Sequence, residues 1–205
     1  MKSIKYIVAG LILAGLTVNS QATITVNWGA ADTSFLTDNT GAAGYLNNTL
    51  IEIGTFASAP TIGSPSLAGF SAFGTSSTAN GTVAANSSGT GGATFSHNQI
   101  YMVVFNAATQ GAATQEAIFF VNDANNAAWK FPADADTISS TTIDVHDMFT
   151  GTTATLAPGG TIVYGTKGLD PSGPYNLIET VPEPSSYALV GMGLLGAIGL
   201  IRRRK

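Results

Sequence analysis

Short apolar runs separated by glycine, asparagine, serine and proline recur through the middle of this 205-residue chain. Between Thr23 and Thr180 no stretch keeps the helical period of about 3.6 residues, and the pattern is typical of β-strands joined by turns. The runs predict an all-β fold with candidate strands at Thr23–Trp28, Leu50–Phe56, Gly69–Phe73, Thr82–Ala85, Ala93–Ser96, Ile100–Asn106, Ala117–Asn122, Ala128–Phe131, Thr141–His146, Thr161–Thr166 and Tyr175–Ile178.

Two of these candidate strands have the pattern of central strands. Residues 100–105 and 117–121 are continuous runs of aliphatic, β-branched and aromatic side chains, as expected where both faces of a strand are covered. The connection between them has the length of an open hairpin loop, which favours antiparallel pairing. Residues 142–146 alternate polar and apolar side chains, which predicts a half-exposed strand. Together the two patterns favour an antiparallel β-sandwich or jelly-roll-like domain.

One region of the chain lacks charged residues. Residues 53–115 contain no Asp, Glu, Lys or Arg, and their polarity comes from Ser, Thr, Asn and Gly. Within this region, Gly74–Gly92 is the part richest in turn-forming residues. It predicts long turns around one edge strand at Val83.

The N-terminal residues have the three parts of a secretory signal peptide. Lys2 and Lys5 form a basic start, Tyr6–Val18 is an apolar run, and Ser20-Gln21-Ala22 fits a small-x-small cleavage pattern. This order predicts an N-terminal signal helix that is removed between Ala22 and Thr23.

The C-terminal residues predict a single transmembrane helix that serves as a temporary membrane anchor. The apolar stretch Ala188–Ile201 carries no charge, and it is shorter than the roughly 20 residues that a stable spanning helix needs. A basic cluster follows it, and such a cluster stops translocation and stays on the cytoplasmic side. Its members are Arg202, Arg203, Arg204 and Lys205.

Just before the apolar stretch stand Pro182, Glu183 and Pro184. Two prolines remove two backbone donors and hold the segment extended, which suits a peptide that an enzyme grips. The order of tripeptide, apolar helix and basic cluster resembles the PEP-CTERM sorting signal of Gram-negative bacteria. The resemblance implies that a membrane-embedded exosortase reads the tripeptide and cuts near it, releasing or transferring the protein to the exterior. A permanent membrane anchor with a proline-rich stalk is the alternative.

These segments divide the chain into four parts. Residues 1–22 are the predicted signal peptide, 23–173 the β-sandwich domain, 174–184 a linker with the sorting motif, and 185–205 the transmembrane helix with its basic tail. The expected location is first that of an exported precursor anchored in the inner membrane. After sorting it is the cell surface or the extracellular matrix.

Charge and cysteine content exclude several functions. Between Thr23 and Thr180 there are eleven acidic residues against Lys130 and Lys167, a net charge of −9, which repels nucleic acid. The chain has no cysteine, so disulfides, thiolate metal sites and a cysteine nucleophile are excluded.

One acidic cluster has side chains that could bind Ca²⁺ or perform acid–base chemistry. Its members are Asp134, Asp136, Asp144, His146 and Asp147. The sequence from Asp134 lacks the glycine and the closing glutamate of a Ca²⁺-binding loop. The cluster therefore predicts a solvated acidic surface, with a weak Ca²⁺ site as the alternative, and no metal ion or cofactor is expected.

Other catalytic motifs are missing. The two histidines, His97 and His146, are too far apart in sequence to indicate a zinc site, and no Gly-x-Ser-x-Gly motif is present. His97 precedes a strand and is expected in a turn. The Gly-x-Gly-x-x-Gly match at residues 191–196 lies within the apolar stretch, outside any βαβ context, and is a chance match.

Three functions remain open on the sequence. The leading one is a non-enzymatic cell-surface or extracellular-matrix protein that is sorted through its C-terminal signal. The second is a module that binds extracellular polysaccharide through Trp129 or a polar sheet face, because exposed aromatic rings stack on sugars. The third is a secreted hydrolase that uses the acidic cluster.

Overall fold

A computed structural model describes residues 23–30, 33–123, 129–133, 139–171, 173 and 175–182. Strands dominate these residues and confirm the all-β prediction. The helical elements are a single turn, α1 (Gly92–Phe95), and 3₁₀ turns at Gly41–Gly44, Gln110–Ala112 and Val145–Met148. The strands are β1 (Thr23–Ala30), β2 (Ser34–Thr37), β3 (Leu50–Phe56), β4 (Phe70–Ser77), β5 (Val83–Thr90), β6 (Tyr101–Phe105), β7 (Gln115–Val121), β8 (Ser139–Asp144), β9 (Gly160–Tyr164), β10 (Thr166–Leu169), β11 (Asn176–Glu179) and β12 (Val181–Pro182).

The strands pair into three sheets. In the first sheet, with the order β5-β1-β8, β1 is antiparallel to β5 and parallel to β8. In the second sheet, with the order β10-β11-β2, β11 is the middle strand. The third sheet has the order β12-β7-β6-β3-β4, and β9 pairs with β7 next to β12.

The main core collects side chains from all three sheets. Alternate residues of β1, such as Val26 and Trp28, are buried and cluster with Ile53, Met102 and Phe119 of the third sheet. The intervening residues of β1 point away from this core, as the two-residue period of a strand requires.

A second core covers the other face of the third sheet. It contains Val103 and Phe105 of β6 and Ile118 of β7, with Leu67 from the loop between β3 and β4 packed against it. Strands β6 and β7 pair antiparallel, with Val103 opposite Ile118. The predictions that these two strands are covered on both faces and pair antiparallel are therefore confirmed.

The prediction of long turns in Gly74–Gly92 is wrong, whereas the edge strand predicted at Val83 is confirmed, because β5 begins there and lies at the edge of the first sheet. Most of this stretch forms the end of β4 and all of β5. In β5 the Asn and Ser side chains at alternate positions point outward, while Val83 and Ser87 are buried. The Ser87 hydroxyl accepts a 3.0 Å hydrogen bond from Trp28 Nε1. Pairing with β1 holds this polar strand in place although it has little apolar surface of its own.

Three other strand boundaries are corrected. Residues 92–95 form α1, whose Phe95 packs edge-on against Phe73 and Phe131. Of residues 128–131, the described part makes only an isolated bridge between Gln99 and Lys130. The strand predicted to reach His146 ends at Asp144.

A capping box explains the end of β8. The Asp144 side chain accepts a hydrogen bond from the His146 backbone N–H at 2.7 Å, and the Asp147 carboxylate accepts one from the Asp144 N–H at 3.1 Å. The same Asp147 oxygen accepts a 2.9 Å bond from Nε1 of Trp129, which is fully buried. These bonds start a 3₁₀ turn in place of further strand.

We expect Asp147→Ala to lower the free energy of unfolding by about 2 kcal/mol, because it leaves the buried Trp129 N–H and the Asp144 N–H without an acceptor. The matched control is His146→Ala in the same turn, whose side chain is exposed and whose loss should cost less than about 0.5 kcal/mol. Urea denaturation monitored by tryptophan fluorescence measures both. Equal stability of the two variants would contradict the role given to Asp147.

Candidate functional site

The predicted sorting motif begins inside the folded domain. Pro182 is the last residue of β12, where it pairs with Gln115, and Val181 pairs with Glu116 of β7. Glu183 and Pro184, the other two residues of the motif, lie outside the described residues. The first residue of the motif is thus a sheet residue.

Hydrogen bonds hold this strand on both sides. Tyr164, at the end of β9, donates its hydroxyl to the Pro182 carbonyl at 2.6 Å. The Thr180 N–H donates to the Thr37 carbonyl at 2.9 Å, and the Thr180 hydroxyl donates to Gln115 Oε1 at 3.0 Å. Thr180 itself is fully buried.

The Gln115 amide links β12 to the turn after β2. Its Oε1 accepts the Asn39 backbone N–H at 3.1 Å, and its Nε2 donates to Asn39 Oδ1 at 3.1 Å. With the bond from Thr180, one glutamine side chain connects three segments that meet at the start of β7. The motif therefore starts at a well-bonded corner of the third sheet.

The strand before β12 belongs to the core. Leu177 and Ile178 in β11 are buried, and so is Asn176. The Asn176 amide accepts the Ala154 N–H at 2.8 Å and donates to the Gly151 carbonyl at 2.7 Å. Strand β11 agrees with the candidate strand at Tyr175–Ile178, and β12 lies within the predicted linker 174–184.

Most of the predicted targeting residues lie outside the described residues. These include Ala22 of the signal-peptide site and the basic residues Arg202, Arg203, Arg204 and Lys205. Thr23, the predicted first residue of the mature chain, is the first residue of β1. Among the residues that the structure describes, no helix has the length and apolar character to cross a membrane, and the predicted transmembrane helix falls outside them.

The acidic cluster is partly used for structure. Asp144 and Asp147 form the capping box described above, and Asp134 and Asp136 lie outside the described residues. Within the described ranges, no three His, Asp or Glu side chains are grouped so that they could hold a metal ion.

The two histidines lie in turns. The exposed His97 adopts a left-handed backbone conformation with a φ of 60° just after α1, in agreement with the predicted turn. His146 is exposed, and its Nδ1 lies 2.8 Å from the Thr33 hydroxyl.

Both tryptophans are core residues. Trp28 is 3% exposed and Trp129 is fully buried. Each indole N–H is bonded inside the protein, to Ser87 and Asp147 respectively. The prediction that Trp129 offers a ring to a sugar is therefore wrong, because neither face of a buried ring is accessible.

One tyrosine has a strongly shifted pKa. The Tyr45 hydroxyl donates to the carboxylate of the buried Asp170, and this hydrogen bond, with burial and the carboxylate charge, raises the pKa of Tyr45 to about 12. Half-buried Phe35 packs 5.3 Å from the rings of both Tyr45 and Tyr175. The bond between Tyr45 and Asp170 connects the region of β2 to the segment before β11. Because its pKa is raised, the Tyr45 hydroxyl stays protonated and is unsuited to act as a base.

Two depressions lie near the α1 end of the molecule. One, of about 350 Å³, has a lining without charged side chains that includes Thr55, Ser71 and Asn98. The other, of about 290 Å³, is lined by residues that include His97 and Lys130. The described residues that line these two depressions include no carboxylate.

The outward face of the first sheet carries a group of uncharged polar side chains, with Asp144 at one end of it opposite Gly29. Thr25 on β1 lies opposite Ser88 and Ser140, and Asn27 lies opposite Asn86 and Thr142. The Thr25 and Ser88 hydroxyls are 2.9 Å apart, and Asn86 Nδ2 donates to Asn27 Oδ1 at 2.6 Å. We call these side chains the polar face: Thr25, Asn27, Asn86, Ser88, Ser140 and Thr142.

Comparison with known proteins identifies one part of the chain. The family described as the PEP-CTERM protein-sorting motif matches residues 180–205. Neither a curated protein nor a solved structure matches the chain. The matched segment begins at Thr180 and so includes β12.

This match agrees with the order of tripeptide, apolar stretch and basic cluster in the sequence. Exosortase, a membrane processing enzyme, recognises such domains, and they mark proteins that are sorted to the cell exterior. Residues 180–205 of the chain are therefore a PEP-CTERM protein-sorting domain.

Proposed function

We propose that this chain is an exported, non-enzymatic protein of the cell surface or the extracellular matrix. The observation that carries the proposal is the sorting domain at residues 180–205, attached without a spacer to a folded β domain. The precursor is held in the inner membrane by its C-terminal apolar helix. An exosortase-like enzyme then processes it near Pro182, Glu183 and Pro184, after the signal peptide has been removed between Ala22 and Thr23.

Two features of the domain support a non-enzymatic role. The carboxylates of Asp144 and Asp147 cap a turn, and the Trp129 indole is bonded to one of them. Both carboxylates therefore have a structural use in the fold. Asp144 and Asp147 are therefore no longer candidates for the catalytic residues of a hydrolase.

We further propose that the domain is a jelly-roll-like β-sandwich. Supporting this, the first and third sheets both send alternate side chains into the main core, as paired layers of a sandwich do. Such a domain exposes a polar outer layer and needs no disulfide, which fits a cysteine-free exported chain.

We expect Glu183→Gln to lower the rate of processing in the native host at least about tenfold. An enzyme site built for a carboxylate leaves buried donors unpaired when it meets an amide. The matched control is Glu179→Gln, an isosteric change four residues earlier, which should be processed at the wild-type rate. Pulse-labelling followed by cell fractionation measures both, and normal export of shortened Glu183→Gln protein would contradict the proposal.

The polar face supports a second candidate function, binding of neutral extracellular polysaccharide. Rows of hydroxyl and amide groups on adjacent strands, about 4.8 Å apart, offer donors and acceptors to sugar hydroxyls without the cost of removing water from a charge. In this second candidate function the polar face, and not Trp129, contacts the sugar.

We expect Asn27→Ala/Thr142→Ala to weaken retention by a soluble neutral glucan about tenfold or more, because it removes two neighbouring hydrogen-bonding groups. The matched control is Ser66→Ala/Ser71→Ala in and beside the loop between β3 and β4, away from the polar face. Affinity electrophoresis in glucan-containing gels compares them. If the wild-type protein migrates alike with and without glucan, this second function is excluded for neutral glucans.

A further inference from the structure

The sorting motif is tied to the domain by a very short tether. Pro182 is paired in β12, and the apolar stretch begins at Ala188. Six residues span at most about 20 Å even when fully extended, and the interfacial layer of a bilayer takes up about 5–8 Å of that. In the anchored precursor, the corner of the third sheet that carries β12 is therefore held within about 15 Å of the membrane surface.

One loop lies beside the point where the chain leaves the domain. Strand β12 is antiparallel to β7, so the direction from Val181 to Pro182 leads toward Gln115 and the residues before it. These are residues 106–114, which connect β6 to β7. We call them the sorting-side loop.

The sorting-side loop is held in a defined shape. The Asn106 carboxamide oxygen accepts the backbone N–H groups of Thr114 at 2.9 Å and Gln115 at 3.0 Å, and its Nδ2 donates to the Thr114 hydroxyl at 3.0 Å. The 3₁₀ turn Gln110–Ala112 forms the tip, and Ala113 packs against the second core. A loop organised before binding loses little conformational entropy when a partner covers it.

The loop is also neutral in an acidic domain. Its nine residues, Asn-Ala-Ala-Thr-Gln-Gly-Ala-Ala-Thr, carry no charge, and residues 108–112 are exposed. The acid paired with β12 is Glu116 of β7, which lies opposite Val181 and is buried. Other acids lie in the turn after β2 and in β11, where Asp38 accepts bonds from Thr40 and Glu179 accepts one from Thr166. The exposed residues of the sorting-side loop are therefore uncharged, and the acid that follows them on β7 is covered by the fold.

We propose that the sorting-side loop is a second contact surface for the membrane-embedded processing enzyme, which therefore recognises the folded domain together with the Pro-Glu-Pro motif. This inference rests on the proposed function. Small neutral side chains allow close approach of a protein surface without desolvating a charge. The position of the loop next to β12 makes this surface continuous with the motif.

The composition of the loop favours the enzyme over the lipid as its partner. A segment that binds anionic headgroups carries lysine or arginine, and one that inserts into the interface carries large apolar or aromatic side chains. The sorting-side loop has neither kind of residue.

The test places charge of either sign on the loop of the full-length chain in its native host. The variants are Gln110→Glu/Ala112→Glu and Gln110→Lys/Ala112→Lys. The matched control is Ala93→Glu/Thr94→Glu in α1, which also adds two exposed charges but lies at the opposite end of β6. Pulse-chase labelling gives the rate at which precursor becomes the shortened form, and thermal unfolding of each purified variant verifies that the domain is folded.

We expect both loop variants to be processed at least about fivefold more slowly than wild type, because a charge of either sign must be desolvated against the enzyme. The control should be processed within about twofold of wild type. Processing of both loop variants at the wild-type rate overturns the inference, and slower processing with glutamate but faster processing with lysine assigns the contact to anionic lipid. A wild-type precursor that is never shortened contradicts the proposed function itself.

Discussion

The placement of β11 between β10 and β2 makes the C-terminal end of the domain part of its core. Leu177 and Ile178 of this strand are buried, and Asn176 satisfies backbone groups of a neighbouring loop. Removing a middle strand would leave two strands of the second sheet unpaired and expose their apolar residues. The fold therefore needs the chain up to Thr180, which is also the first residue of the sorting domain.

This shared boundary constrains how the protein is handled. A cut within β11 or before it would destroy the domain that sorting is meant to deliver, whereas a cut after Pro182 leaves the three sheets intact. The Tyr164 hydroxyl on the Pro182 carbonyl and the Gln115 contacts hold the start of the motif against the sheet. The motif therefore begins at a residue that is part of the folded domain.

Much of this arrangement could be predicted from the residues alone. The apolar runs at 100–105 and 117–121 predicted two doubly covered strands, because both faces of a buried strand must be apolar. The charge and proline pattern at 182–205 predicted the sorting signal that the family match identifies. Each of these features depends on residues that are close together in the sequence. They can therefore be predicted from the sequence of this one chain.

Other features depended on contacts between distant residues. Strand β5 is polar by composition, and its pairing with β1 and the Trp28–Ser87 bond make it a strand. The sequence predicted Asp147 as part of a solvated acidic surface, whereas its carboxylate accepts a hydrogen bond from buried Trp129, eighteen residues away. The candidate strand at Tyr175–Ile178 agrees with β11, whereas β12 was not predicted, because its partner β7 is far away in sequence.

The mass of the mature protein from its native host tests the central claim most directly. We expect a mature chain that starts at Thr23 and ends after Pro182 but before the apolar stretch at Ala188, so that β11 and β12 are retained. A mature chain that still ends at Lys205 would contradict sorting by cleavage. One that ends before Asn176 would contradict the assignment of β11 to the core.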